Sequence, residues 1–300
     1  MGAPRDILLP AANQVTAGKK STFTLDPGWR YDVVTLEFGD NVGTPLYTGN
    51  ILGDVKCLAF NKDQRVCSAI QLDQINKRNN PSDSAAYTLK TTGTPGTSGF
   101  RQYLSIYFAE LWRTDPAQQR LTAWHNNGGA AMQISVEVSA NASTPVLRAW
   151  GKGEPSNFKG ISQLGIIGKM FRTNFATSGT IMELQNILTQ LKPDALASIH
   201  FFPNTDATPV YVTNLQVKTD GAELRDSNWT QLLNQVRMIE HSMTPDTGAQ
   251  PRFDFELDYD DRIDSLLPTQ NLSSMVVKAT LSGTPTAALD VVIQRYGAPE

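Results

Sequence analysis

Leu52-Gly-Asp-Val-Lys-Cys-Leu-Ala-Phe60, Asn61-Lys-Asp-Gln64, Arg65-Val-Cys67 and Ser68-Ala-Ile-Gln71 follow one another without a break. The first run reads as a strand, the second as a turn and the third as a short returning strand. The fourth is a capping box, in which the Ser and Gln side chains each take a backbone N–H of the other's residue. It opens a helix to about Asn79, with Leu72 and Ile75 facing inward. The same succession returns in the second half of the chain. A strand over Tyr211–Lys218 turns at Asp220-Gly221 into a short strand, Glu223–Arg225. A helix then runs from about Ser227 to Glu240, with Trp229, Leu232, Leu233, Val236 and Ile239 on one stripe.

Outward from these two points the agreement continues. Each helix is followed by a loop and a long strand, starting near Tyr103 and near Arg252. The spacing predicts a closing hairpin in each half, Leu121–Asn126 with Met132–Val138 and Ser274–Leu281 with Ala288–Tyr296. Equivalent landmarks lie roughly 150 to 160 residues apart. The loop from Asn80 to Phe100 is longer than its counterpart from His241 to Gln250. Other apolar residues alternate with period two, as in Tyr31–Phe38, Tyr103–Trp112 and Phe253–Tyr259. The chain therefore reads as all-β, a duplicated sandwich with one helix inserted at the same place in each copy. Turn residues between about Asn141 and Lys159 mark the join, within which Val146–Trp150 has the character of a strand.

Composition sets limits. Of 300 residues, 18% are charged, below the roughly 25% of ordinary domains. Twenty-nine Thr, 19 Ser, 18 Asn and 17 Gln take the surface places that charges usually hold. This suits a β-rich soluble chain, and equally a surface that lies against other protein, because interface cores are depleted of charge. A net charge of −3 gives no electrostatic footprint for nucleic acid. No apolar run is long enough to span a membrane, and the first residues have no signal-peptide character. Two cysteines leave stability to packing.

The chain resembles the double jelly-roll major capsid proteins of tailless icosahedral bacteriophages with an internal membrane, the corticovirus-like coat proteins in particular. The resemblance is carried by Val15–Leu25, Trp29-Arg-Tyr31, the hairpin and helix from Asp54 to Ile75, Phe253–Asp258 and Val291–Gly297. It implies two consecutive eight-stranded jelly rolls, each with a short helix after its fifth strand. The expected division is an amino-terminal arm over 1–19, a first jelly roll over 20–145, a connecting strand and linker over 146–178, and a second jelly roll over 179–300. It implies a homotrimer of pseudo-hexagonal outline that meets neighbouring capsomers and a vertex (penton) protein in a virion shell. Assembly would take place in the host cytoplasm, with no direct contact with nucleic acid. The stretch Gly2–Lys20, with Arg5, Lys19 and Lys20, is the expected arm toward the internal membrane or its proteins; an ordinary flexible terminus is the alternative.

No catalytic motif stands out, and neither an enzyme activity nor a cofactor is expected. His125, His200 and His241 lie on separate elements, so they do not supply the clustered ligands of a metal-dependent double sandwich. The glycines before Lys169 are wrongly spaced for a phosphate loop, and Met170 stands where Ser or Thr is needed. The best metal candidates are Asp254, Glu256, Asp258 and Asp260, which share one face of a strand and would offer oxygen ligands to calcium. A solvated or Arg-paired face is the simpler reading. Cys57 and Cys67 flank one hairpin and, with a three-residue turn, would sit opposite each other; a reducing cytoplasm would keep them as small buried hydrophobes. The rival function is a glycan-binding or glycan-cleaving protein, with Trp112, Trp124 and Trp150 and either Glu110 or Asp115 in a groove.

Overall fold

The computed structural model describes residues 5–40, 51–79, 90–94, 97–113, 115–126, 131–155, 166–184, 186–228, 253–256 and 266–299. The chain divides into two compact units, Met1–Gly168 with Ala298–Glu300, and Lys169–Gly297.

Unit 1 contains β1 (Arg5–Leu8), β2 (Lys20–Thr24), β3 (Trp29–Asp40), β4 (Leu52–Ala59), β5 (Lys62–Ser68), α1 (Ala69–Asn79), β6 (Lys90–Thr92) and β7 (Arg101–Tyr107). The short helix α2 (Pro116–Gln119), β8 (Trp124–Asn126), β9 (Gln133–Val138) and β10 (Pro145–Pro155) complete it. One sheet has the order β1-β10-β3-β7, with β6 added beyond β7 and β8 lying against β3; the other has the order β2-β9-β4-β5. Between them lie Tyr31, Val34 and Leu36 of β3, Leu104 and Ile106 of β7, Phe23 of β2, Val55 and Cys57 of β4, and Ile134 and Val136 of β9, all buried. The period-two pattern of each strand is thus satisfied by one inward face.

Unit 2 repeats the plan with β11 (Ile167–Phe175), β12 (Ile181–Glu183), α3 (Ile187–Leu191), β13 (Ala195–Phe201), β14 (Val212–Thr219) and β15 (Ala222–Asn228). It ends with β16 (Phe253–Glu256), β17 (Leu267–Pro268), β18 (Met275–Leu281) and β19 (Leu289–Gly297). Its sheets have the orders β11-β19-β13-β16, with β17 against β13, and β12-β18-β14-β15. Strand for strand these are the orders of unit 1. Each unit is an eight-stranded jelly roll with small additions. Ile199, Phe201, Val291 and Ile293 from one sheet pack against Leu215, Val217, Val277 and Ala279 from the other.

The helix α1 forms where the capping box places it. The Ser68 N–H donates to Gln71 Oε1 at 3.0 Å and the Gln71 N–H donates to Ser68 Oγ at 3.2 Å, while Leu72 and Ile75 are buried. The helix expected over Ser227–Glu240 lies outside the described residues except at 227–228, where β15 is still extended.

Three expectations are corrected. Residues 5–19 are not a free arm: β1 pairs with β10, Leu9 is buried, and the Asn13 N–H donates to Thr22 O at 3.2 Å. Nor does Pro145–Pro155 connect the halves; it is an interior strand of unit 1, paired with β3 along its whole length. The boundary therefore falls at Gly168/Lys169 rather than at 145/146. The closing hairpins do not form either. β8 pairs with β3 while β9 pairs with β4 and β2, so the chain crosses between sheets there. In unit 2, β18 pairs with β14 and β12 while β19 pairs with β13. Hydrophobic alternation finds strands but does not say which sheet a strand joins.

Candidate functional site

β16 carries Asp254 and Glu256, set opposite His200 and Ser198 of β13; Asp258, Asp260 and their neighbours to 265 lie outside the described residues. Among the described residues no cluster of three His, Cys, Asp or Glu side chains is placed to hold a metal ion. His200 is fully buried, with its Nε2 2.9 Å from Ser198 Oγ and 3.1 Å from Gln294 Oε1, a closed polar contact within one sheet. His125 sits on β8 opposite Arg30, and its pKa is lowered by burial and by that guanidinium. His241 lies outside the described residues. The two described histidines, His125 and His200, lie on different strands.

Lys169 does not face a phosphate. Its side chain is buried in unit 2 and donates to both carboxylate oxygens of Asp194 at 3.1 and 3.0 Å. Arg295 approaches the same carboxylate at 3.1 Å, stacks on Phe171 at 5.3 Å and donates to Gln190 O at 2.6 Å. Two cations on one buried carboxylate tie β11, the start of β13 and β19 together.

A second charged cluster closes one end of unit 1. Arg30 Nη2 lies 2.6 Å from Glu154 Oε1, off the line of a hydrogen bond, and Arg30 Nε lies 3.4 Å from Asp32 Oδ1. Arg120 adds a contact to Asp32 at 3.6 Å and one to Glu154 at 3.9 Å. Burial pushes the Asp32 carboxyl up despite these two arginines. Sequence reasoning missed both clusters, because a charge on a strand normally reads as an outward residue.

The proposed glycan groove does not assemble. Trp124 is fully buried and stacks on Phe108 at 4.4 Å, Trp112 lies edge-on to Tyr107 at 5.7 Å, and Trp150 lies on β10, donating to Glu37 at 3.2 Å. Glu110 is buried against Arg113, and Asp115 is exposed. Cys57 and Cys67 are free and buried. They are not opposite each other: Cys57 faces Arg65 and Cys67 faces Val55. The cause is a two-residue turn at Phe60–Asn61, both at positive φ, in place of the three-residue one.

What the described surface does carry is a set of fixed corners. Asp40, at the end of β3, accepts the N–H groups of Ser143 and Thr144 at 2.7 and 3.0 Å and the Thr144 hydroxyl at 2.8 Å. Asp206, in the loop after β13, accepts the N–H groups of Thr286 and Ala287 at 2.8 and 3.0 Å and the Thr286 hydroxyl at 2.5 Å. Each carboxylate pins the loop that carries the chain from one sheet to the other before the last strand. Neither pair stands out in the sequence, because the two aspartates and the two loops share no motif. The arrangement stiffens a scaffold and holds no reacting group.

The N-terminal domain of the family described as viral coat protein P2 matches residues 6–154, and its C-terminal domain matches residues 167–299. The chain belongs to this family of viral coat proteins. The first match lies inside unit 1, the second spans unit 2 with two further residues at each end, and each takes in essentially one jelly roll. Among curated proteins no sequence matches. The fold is shared with the major capsid protein P2 of bacteriophage PM2, at 14% identity and a TM-score of 0.73 over 99% of this chain and 98% of that one. It is shared with the STIV major capsid protein, from Sulfolobus turreted icosahedral virus, at 13% identity and a TM-score of 0.66 over 99% and 98%. The PBCV-1 virus capsid gives 11% identity and a TM-score of 0.65 over 98% and 93%. The viral coat protein P2 family thus supplies the role, that of a viral coat protein, on the fold it shares with these double jelly-roll capsid proteins, and the glycan reading is without support.

Proposed function

We propose that three copies of this coat protein close into a pseudo-hexagonal capsomer, and that capsomers tile an icosahedral shell around an internal membrane. The observation that carries this reading is the identity of strand order in the two units. Three chains with two similar units each present six similar sides, which lets a three-fold ring fill a hexagonal place in a lattice. The low charge and the abundance of Thr, Ser, Asn and Gln suit sides that lie against neighbouring capsomers and a vertex protein. The net charge of −3 suits a shell held away from the genome by the membrane, with no direct nucleic-acid contact. Membrane contact falls to a folded surface rather than to a flexible arm, since residues 5–8 are a strand. No side chain has a catalytic role in this reading, and assembly takes place in the host cytoplasm.

The test is mass and outline in solution. A particle of three times 32.9 kDa with a hexagonal outline in negative stain is the expected result. A stable monomer would overturn the capsomer.

A further inference from the structure

Among the described residues, two of the strands at sheet ends have no further strand beside them, one in each unit. β1 is the last strand of its sheet in unit 1, and β15 is the last strand of its sheet in unit 2. An open side presents a row of unpaired N–H and C=O groups, ready to pair with another strand. Two other end strands, β2 and β12, are dressed by their own chain. For β2, Asn13 takes the Thr22 N–H on its side chain at 2.8 Å and donates its own N–H to Thr22 O at 3.2 Å. For β12, the Thr177 hydroxyl donates to Ile181 O at 3.0 Å. Among the described residues no such cover lies on β1 or β15.

Both strands are also exposed along their length. In β1, Arg5, Asp6 and Leu8 are exposed; in β15, Ala222, Glu223, Leu224 and Asp226 are exposed. In β15 the exposed Leu224 (39%) stands between Glu223 and Arg225, and in β1 the exposed Leu8 (56%) comes after the charged Arg5 and Asp6, with Ile7 between. Laid antiparallel, with Arg5 opposite Asp226, the two strands match: Ile7 meets Leu224 and Leu8 meets Glu223. Opposite charges face each other at one end of the ladder and apolar side chains meet in its middle, the pairing that stabilises a cross-strand contact.

We propose that β1 of one copy pairs with β15 of the next copy, so that the joint between two chains of the capsomer is a strand-to-strand ladder. This rests on the capsomer reading above. In a closed ring of two-unit chains, every joint between copies sets unit 1 of one copy against unit 2 of its neighbour. β1 and β15 lie on those two different units, so the joint is heterologous and closes only as a ring. Main-chain hydrogen bonds supply the affinity, and the Arg5–Asp226 match supplies the register.

The experiment uses the full chain carrying Leu8→Cys and Glu223→Cys together, positions that the register sets opposite each other at a separation a disulfide can bridge. Under mild oxidation the expected product is a covalent trimer on a non-reducing gel, absent from either single variant and from the parent, whose Cys57 and Cys67 are buried. Independently, Arg5→Glu should raise the concentration at which trimers fall apart by about tenfold, and adding Asp226→Lys should restore it. Trimers that form normally in the double-cysteine chain without any cross-link, and that ignore Arg5→Glu, would overturn the ladder and leave the capsomer standing. Wild-type chains that remain monomers would overturn the capsomer itself and the ladder with it.

Discussion

Asp40 and Asp206 hold the same corner in two copies of one sandwich, each by accepting two backbone N–H groups and one threonine hydroxyl. Neither residue belongs to a sequence motif, and neighbouring positions differ between the copies. The shared feature is a geometric need. A chain that leaves one sheet for the other just before the last strand bares two amides, and a carboxylate at the end of β3, or in the loop after β13, answers both.

The buried member of this pair gives a first expectation. Asp40→Ala removes the acceptor of three hydrogen bonds at a site closed to water, and should cost unit 1 about 2–3 kcal/mol. Chemical denaturation against wild type measures it, and an unchanged midpoint would show that the loop over 139–145 holds itself.

Asp206 lends itself to a pH test. Its carboxyl is held below the ordinary 3.8, first by the Thr286 hydroxyl and next by the Thr286 N–H. The folded state therefore binds this proton less readily than the unfolded chain does. The clamp's contribution is complete above pH 3.8 and is lost as the pH falls through the lower folded-state value. The difference in urea midpoint between wild type and Asp206→Ala should be present at pH 7 and shrink on acidification below 3.8. A difference that grew in acid would contradict the clamp.

In unit 2 the buried carboxylate of Asp194 compensates Lys169. Asp194→Ala strands that ammonium away from water and should cost about 3–5 kcal/mol. The double change Lys169→Met with Asp194→Leu removes both charges and should recover most of the loss. Equal instability of the single and double variants, measured by denaturant titration, would assign the cost to lost packing and to the Arg295 contact.

Gly153 is a position where backbone meets backbone. A Cβ there would come 2.0 Å from the Arg30 carbonyl oxygen, at the point where the β10–β3 register shifts. Gly153→Ala should destabilise unit 1 by about 1–3 kcal/mol through forced separation of the two strands. A variant with a wild-type melting temperature would mean that the bulge can relax.

The two cysteines allow a chemical check. Burial pushes the Cys57 thiol up to about 12, far from the range in which thiolates react at neutral pH. Ellman's reagent should find no reactive sulfhydryl in the native chain and two after denaturation. Zero in the denatured chain would mean a disulfide in place of the free thiols.

What the sequence disclosed was local. The capping box at Ser68 and Gln71, the alternation in β3, β7 and β9, and the hairpins β4–β5 and β14–β15 all depend on residues within one turn or one strand pair of each other. Sheet membership is not local. Leu121–Asn126 and Met132–Val138 are neighbours in the chain, yet β8 pairs with β3 in one sheet and β9 with β4 and β2 in the other. Arg5–Leu8 is too short to alternate and carries two charges, so only its partner β10 makes it a strand. The buried charges are illegible for a related reason: Arg30, Asp32 and Glu154 look outward-facing until loop residue Arg120 lies beside them.

The pairing of β1 with β10 also sets a timetable. In unit 1 the first strand to leave the ribosome pairs with the last, and in unit 2 β11 likewise pairs with β19. Neither jelly roll can close its sheet until its own carboxy-terminal strand has been synthesised, which makes folding slow and late. Unit 1 gains its last strand at Pro155, while most of unit 2 is still unmade. Each nascent chain therefore carries one finished sandwich and one unfinished one for the time needed to make the second half. Lattice contacts that require both units cannot begin during that interval.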